Sequence, residues 1–379
     1  MEDYERKYEA KELKASTKYR RSEHRILVKR EGSLPDGACK GKVIASFGKY
    51  YYVSELDKGK TSWEKPVECT SAGTMLNKND ENAIIVVGDN VIFLKEQSLN
   101  DDGVETGSIL LVEQRDNRFS RTEPGKTNRE QIIASNIDIL LIMASAKNPQ
   151  INNRLIDRFL IASELGDVKP IILVNKIDLL NRKQLTEVKR FMQIYEDLYI
   201  PVFYISVANN DFSGDLLFSA LKSQTSLLIG PSGTGKSSFL NSIMQNEVQR
   251  VMEISGRTSK GRHSTSSVRM FFMPDYIESN LKKWNEMYSD WGYKLSENKD
   301  GAIIDSPGIR EFGLWNVEQD ELGLYFNEFA AFDEQCRYIP CTHTHEPDCA
   351  VKEAVELEQI SIERYASYLN IYDSLDKNR

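Results

Sequence analysis

The chain has 379 residues, enough for two or three domains with ample core. It carries 49 Lys and Arg against 57 Asp and Glu, a net charge of −8, so it does not hold nucleic acid by overall charge. Five cysteines, no signal-peptide pattern and no apolar run of membrane-spanning length lead to the expectation of a cytoplasmic protein without a membrane partner.

Basic charge is local. Lys14, Lys18, Arg20, Arg21, Arg25, Lys29 and Arg30 stand close together, with Glu23 as the only acid among them. This arm, residues 1–32, reads equally as a phosphate contact or as a solvated terminus. Over 33–118 short apolar segments alternate with polar or glycine turns, at 41–47, 50–56, 67–70, 83–87, 91–94 and 107–114, and predict a small β-barrel. Phe47, Tyr50, Tyr51 and Tyr52 are read as cover for a β surface rather than as stacking platforms for RNA bases. Residues 115–129 are predicted as a polar linker.

From Ile137 strand and helix patterns alternate. Strands are expected at 138–144, 170–174, 201–206, 226–229 and 302–304, with helices from Arg154, Gln184 and Gly214 and over 238–244, which predicts a doubly wound parallel sheet. The run 170–174 ends in Asn175-Lys176-Ile177-Asp178. An aspartate there can accept from guanine N1–H and the 2-amino group, a pattern adenine lacks. The Lys176 stem can lie along the base, and Asn175 can tie this loop to a phosphate loop. After the next apolar strand, Ser206-Val207 suits a loop offering backbone N–H to guanine O6.

The strand 226–229 runs into Gly230-Pro231-Ser232-Gly233-Thr234-Gly235-Lys236-Ser237-Ser238, a full phosphate-loop pattern. Its glycines let successive N–H groups curl round a phosphate at a helix N-terminus. Lys236 would reach the β- and γ-phosphates and Ser237 would ligate Mg²⁺. The polar stretch 261–266 suits a switch, with Thr265 expected to complete the Mg²⁺ shell. The strand 302–304 delivers Asp305-Ser306-Pro307-Gly308, where Asp305 would face Mg²⁺ and the Gly308 amide the γ-phosphate. Many GTPases follow that glycine with a water-orienting glutamine; here Ile309 stands there. The intrinsic rate should be low, and His263 is the candidate catalytic group.

Near the C-terminus Cys336, Cys341, His343 and Cys349 form a closed Cys₃His pattern for one structural Zn²⁺, with His345 competing for the nitrogen position. Cys39 and Cys69 read as ordinary reduced cysteines. A helix is expected over 318–335, feeding the metal knot, and another over 360–375.

The order of these motifs is permuted, because the guanine reader precedes the phosphate loop. That order, with Gly308-Ile309-Arg310-Glu311-Phe312-Gly313-Leu314-Trp315, the segment from Cys336 to His343, Glu346-Pro347-Asp348-Cys349 and Val87-Gly88-Asp89-Asn90-Val91, resembles the RsgA (YjeQ) family of circularly permuted GTPases. The resemblance covers the chain from about Gly41 onward. It implies an OB-fold barrel (33–118), a permuted α/β GTPase (128–318) and a zinc-binding helical tail (319–379). It further implies Mg²⁺ with GTP and small-subunit-stimulated hydrolysis in late maturation of the small ribosomal subunit. Subunit rRNA and assembly factors are the implied partners of a monomer. Two departures stand out: the loop 71–75 is not basic, and 275–300 stands as an insertion containing Trp284, Tyr288, Trp291 and Tyr293. The insertion is expected as an amphipathic surface element and a candidate subunit contact. The alternative to a timing enzyme is an RNA-binding checkpoint in which GTP only sets conformation.

Overall fold

A computed structural model describes residues 35–56, 65–71, 85–100, 103–126, 129–244, 268–274, 277–295, 301–309 and 311–376. The basic arm, residues 72–75 of the non-basic loop, His263 and Thr265 lie outside the described residues.

Five strands close the barrel: β1 (Ala38–Phe47), β2 (Tyr50–Glu55), β3 (Val67–Ser71), β4 (Asn90–Leu99) and β5 (Glu105–Val112). They run β1-β2-β3-β5-β4, with β4 returning to β1 and β3 parallel to β5, which is the OB-fold arrangement. Inward side chains, among them Val43, Val53, Val67, Cys69, Val91, Phe93 and Ile109, make a separate core. The predicted strand at 83–87 is not formed over its described residues, 85–87. Asp89 is the reason: its carboxylate accepts from the Val86 N–H at 2.9 Å and bends the chain into a turn. The predicted linker is also structured. Much of it enters a hairpin of β6 (Arg118–Thr122) and β7 (Glu130–Ser135).

The GTPase sheet follows with β8 (Ile139–Ser145), β9 (Lys169–Asn175), β10 (Val202–Tyr204), β11 (Thr225–Ile229), β12 (Arg269–Phe272) and β13 (Ala302–Asp305). Parallel strands in the order β10-β9-β8-β11-β13 are buried on both faces and so read as continuous apolar runs. Helices α1 (Asn153–Leu165), α2 (Arg182–Glu196), α3 (Asp215–Ser223) and α4 (236–244) pack on that sheet. Strand β12 lies antiparallel to β13 and was not foreseen. It also joins β1 through Ala45 opposite Arg269, so one eleven-stranded sheet runs from barrel to GTPase.

The insertion forms α5 (Leu281–Tyr288) and the single turn Ser289–Trp291. Three of its aromatics, Trp284, Tyr288 and Tyr293, are buried. Trp284 is fully buried, stacks on Phe203 and donates Nε1–H to the Tyr293 carbonyl at 2.7 Å. Trp284, Tyr288 and Tyr293 therefore serve the core and are withheld from a partner.

The predicted helix over 318–335 is instead two 3₁₀ segments, Gln319–Tyr325 and Asn327–Phe329, and the short α6 (Ala330–Asp333). Within it Gly323 lies against the His343 ring, where a Cβ would sit 3.3 Å away. Helices α7 (Ala350–Glu356) and α8 (Ile362–Asp376) complete the C-terminal region. Among the described residues no helix is long and apolar enough to cross a membrane.

Candidate functional site

Three loops leave the carboxyl ends of β9, β11 and β13 and converge, the usual ligand position in an open α/β sheet. Asn175, buried at the end of β9, ties its own loop to the β11 loop and to the loop after β10. Its Nδ2 donates to the Thr234 carbonyl at 2.8 Å, while its Oδ1 accepts from the N–H groups of Lys176 (2.7 Å) and Val207 (3.1 Å). Lys176 follows in the left-handed region (φ 66°) and sends Nζ to the carbonyls of Gly233, at 2.6 Å, and of Asn148. Ser206 donates Oγ–H to Asp178 Oδ1 at 2.6 Å, which fixes one carboxylate oxygen; Asp178 itself is exposed and open to a ligand. Ile177 lies half-buried between them.

The phosphate loop is a turn over 230–235 ahead of α4. Gly230 (φ 153°) passes so close to β8 that a Cβ would meet the Met143 carbonyl at 2.3 Å. Gly235 (φ 100°) abuts the Asn175 amide, where a Cβ would lie 2.4 Å from Nδ2. These two glycines are demanded by approach as well as by conformation. Thr234 Oγ donates to the Pro231 carbonyl at 2.9 Å, and Lys236 Nζ donates to the Gly230 and Pro231 carbonyls at 2.8 and 3.0 Å. Burial lowers the Lys236 pKa, opposed by Asp305. Ser232, Gly233, Ser237 and Ser238 are exposed at the mouth.

The third loop is clamped to the second. Ser306 Oγ donates to the Leu228 carbonyl at 2.7 Å, and the Ile309 N–H donates to the Gly230 carbonyl at 3.2 Å. Gly308 packs on Ser232, where a Cβ would lie 3.2 Å from its Cα. Burial pushes the Asp305 carboxyl up to about 6, with Lys236 and Arg269 pulling the other way. Ile309 is buried and offers no hydrogen bond to a water. Two contributors went unforeseen. The Asn148 carbonyl belongs to a loop with no motif, and Arg269 belongs to a four-residue strand too short to show periodicity.

The second site lies in the C-terminal region. Cys336 Sγ, Cys341 Sγ, Cys349 Sγ and His343 nitrogen lie within 4.8 Å of one another, a donor set able to hold one metal ion. His343 Nδ1 faces the sulfurs of Cys336 (3.7 Å) and Cys349 (3.4 Å), while Nε2 faces Asp333 Oδ1 at 3.4 Å. A carboxylate on the outer nitrogen orients the ring, a recurrent arrangement behind ligating histidines. His345 is exposed, bonds to Thr344 and stands outside the cluster. Burial pushes the Cys341 thiol up to about 12 and raises Cys349. Around the knot Glu346 accepts from the Thr342 N–H and Oγ–H at 2.7 and 2.6 Å and from the Thr344 N–H at 3.1 Å. Burial alone would raise its carboxyl, and these bonds instead hold it at about 2. Tyr365 OH donates to the His343 carbonyl at 2.7 Å.

A buried ionic network fastens this region to α1. Arg364 on α8 pairs with Asp157 of α1 at 2.5 Å and, through Nε and Nη2, with both oxygens of Glu328 at 2.6 and 3.1 Å. Tyr195 OH donates to Asp157 at 3.0 Å. Burial alone would lower the Arg364 pKa, but its two carboxylates outweigh that and hold it above its ordinary value.

With this geometry in view, comparison with known proteins is specific. Residues 112–277 match the family model described as RsgA GTPase. A protein of Chlorobaculum parvum named small ribosomal subunit biogenesis GTPase RsgA is 34% identical, over 82% of this chain and 92% of its own length. One of Bacteroides thetaiotaomicron, named small ribosomal subunit biogenesis GTPase RsgA 2, is 32% identical over 90% of this chain and 98% of its own. The crystal structure of YjeQ from Thermotoga maritima superposes with a TM-score of 0.61 at 25% identity, covering 90% of this chain and all of that one (100%). The structure of YloQ, a circularly permuted GTPase, shares the fold with a TM-score of 0.58 at 22% identity, over 92% and 99% of the two chains. A barrel, a permuted GTPase and a Cys₃His cluster in one chain, matched over most of its length in this way, show that the protein is a GTP hydrolase belonging to the RsgA family.

Proposed function

We propose that this GTPase acts in late maturation of the small ribosomal subunit, binding the subunit and its rRNA and hydrolysing GTP in response. The reading is carried by one combination: the convergence of three nucleotide loops in a chain whose relatives are named small ribosomal subunit biogenesis GTPases over nine-tenths of their length. Asp178, with one oxygen fixed by Ser206, would accept from guanine, while the loop of Ser206 and Val207, whose own N–H groups are held by Asp211 and Asn175, would lie beside O6. Asn175, Lys176 and Ile177 would shape that pocket. Backbone groups of Gly230, Pro231, Ser232, Gly233, Thr234, Gly235, Ser237 and Ser238 would cradle the phosphates. Lys236 would turn from its present carbonyl partners to the β- and γ-phosphates, and the Gly308 amide would meet the γ-phosphate.

Ser237 and Asp305, with Thr265 as a third ligand, would supply hard oxygens suited to Mg²⁺, which would neutralise charge building on the transferred phosphate. A proton and Mg²⁺ would compete for Asp305, whose carboxyl burial pushes up to about 6, so metal binding should weaken as pH falls through that range. The Cys₃His cluster suits one structural Zn²⁺, leaving no open position for water.

Buried Ile309 cannot orient the attacking water, so turnover without a partner is slow and His263 is assigned that role. Hydrolysis would then drive release of assembly factors. The same observation favours a second reading, a checkpoint that binds RNA and uses GTP only to set its shape. GTP turnover with and without purified small subunits separates them. Stimulation of about tenfold or more supports the enzyme, and equal rates sink it. His263→Ala should abolish the stimulated rate, and Asp178→Asn should relax the preference for guanine by a hundredfold or more, on the order of other sites built to hydrogen-bond their substrate.

A further inference from the structure

We infer that Arg269 is a positioning residue for Asp305, held by the barrel residue Phe47, so that the barrel tunes how tightly the nucleotide site binds Mg²⁺. The inference rests on reading Asp305 as the acid that faces Mg²⁺. Four observations place Arg269 between the two domains. It stands directly opposite Asp305 in the antiparallel β12–β13 pair, and side chains so placed lie on one face as near neighbours. Its backbone pairs with Ala45 of the barrel, and the adjacent Val268 carbonyl accepts from the Ser46 N–H at 3.3 Å. Its guanidinium lies 4.9 Å from the centre of the Phe47 ring, at the end of β1. Its Nε is buried and makes no hydrogen bond among the described residues.

Arg269 thus has two electrostatic partners of different kinds. The ring face attracts the guanidinium through its quadrupole, without removing a charge from the site. The Asp305 carboxylate attracts it by charge, and Arg269 and Asp305 feel one another across the strand pair without a direct ion pair. A cation beside a carboxylate competes with Mg²⁺ for it. Stacking on Phe47 holds that competitor short of contact and leaves the carboxylate oxygens to the metal. Phe47 in turn meets Tyr52 edge-on at 5.6 Å, and Tyr52 OH donates to Glu68 at 2.8 Å, so the ring is set by the barrel wall.

The test is binding of a fluorescent GDP analogue to the full-length protein, titrated with Mg²⁺. Arg269→Met should lower the half-saturating Mg²⁺ concentration about three- to tenfold, the range expected for one partly screened charge. Arg269→Lys should stay within about twofold of the parent, because the charge remains. Phe47→Leu should move the midpoint the other way, upward by about twofold or more, since the freed guanidinium can pair with Asp305. Phe47 ends strand β1 of the barrel, outside the three nucleotide loops, so this variant alone decides the matter should Arg269→Met fail to fold. Asp305→Asn should raise the Mg²⁺ requirement far more than any of these. An unchanged midpoint in Asp305→Asn overturns the reading of Asp305 and the inference with it. A shifted midpoint there, with Phe47→Leu at the parent value or below it, overturns the inference alone.

Discussion

In the nucleotide site, protein groups satisfy one another; in the metal cluster they do not. Asn175 joins three loops through three hydrogen bonds, Ser306 anchors the sensor to β11, and Lys236 occupies two carbonyls. Among the described residues these bonds join the loops to one another, and a nucleotide would exchange a few of them for its own. In the cluster, three sulfurs and an imidazole crowd within 4.8 Å and burial raises two of the thiols. Only a cation reconciles them as thiolates. Losing a ligand should therefore leave one site standing and dismantle the other.

The largest expected effect breaks the comparison at its weaker side. Chelating the metal, or Cys349→Ser, should unfold the C-terminal knot, with apparent stabilisation on the order of 10 kcal/mol lost. Hydrogen exchange should then rise over 336–349 while 169–178 stays protected. Metal affinity should also fall as pH falls, because protons compete for the thiolates, and the raised thiols bring the loss in at higher pH than for exposed cysteines. If exchange rises equally in both regions, the two sites are not independent.

Next comes Asp157→Ala. It strands the Arg364 guanidinium inside the protein, although Glu328 remains, and should cost about 3–5 kcal/mol in chemical denaturation. The result sharpens the contrast by showing how much of the C-terminal region stands without metal. Asn175→Ala should cost about 2–3 kcal/mol, since it leaves the Thr234 carbonyl and the Val207 N–H without this partner, and should weaken GTP binding at least tenfold. Tyr365→Phe removes one bond to the His343 carbonyl and should cost about 1 kcal/mol, read as easier loss of metal to a chelator. A loss as large as that of Asp157→Ala would mean the hydroxyl does more than brace the knot.

What the sequence made legible follows from burial. Strands β8, β9 and β11 are covered on both faces, so their apolar runs announced them and their ends marked the loops. Strand β4 was half visible: Val91 to Phe93 are buried, whereas its second half is polar and exposed. Val86 and Val87 are apolar and buried yet form a turn, because Asp89 binds the backbone behind it. Over 318–335 the helix expected from the pattern is broken into 3₁₀ segments, and Gly323 there lies against His343, a contact twenty residues away that no local pattern encodes. Spacing could not choose between His343 and His345 either. His343 takes a left-handed backbone (φ 56°) that turns its ring inward, a choice made by the assembled knot.

The strand order has a consequence for how the chain is made. All barrel pairings fall within residues 38–112, so the barrel is complete as soon as its own segment has left the ribosome. The bridge from Ala45 to Arg269 spans more than half the chain, and β13 inserts between β11 and β12 last of all. During synthesis the barrel waits, finished, with its β1 edge beside an incomplete partner sheet. Long-range pairings of this kind form slowly. The junction between barrel and GTPase therefore cannot close until β12, far along the chain, has been made, and the residue that closes it is Arg269.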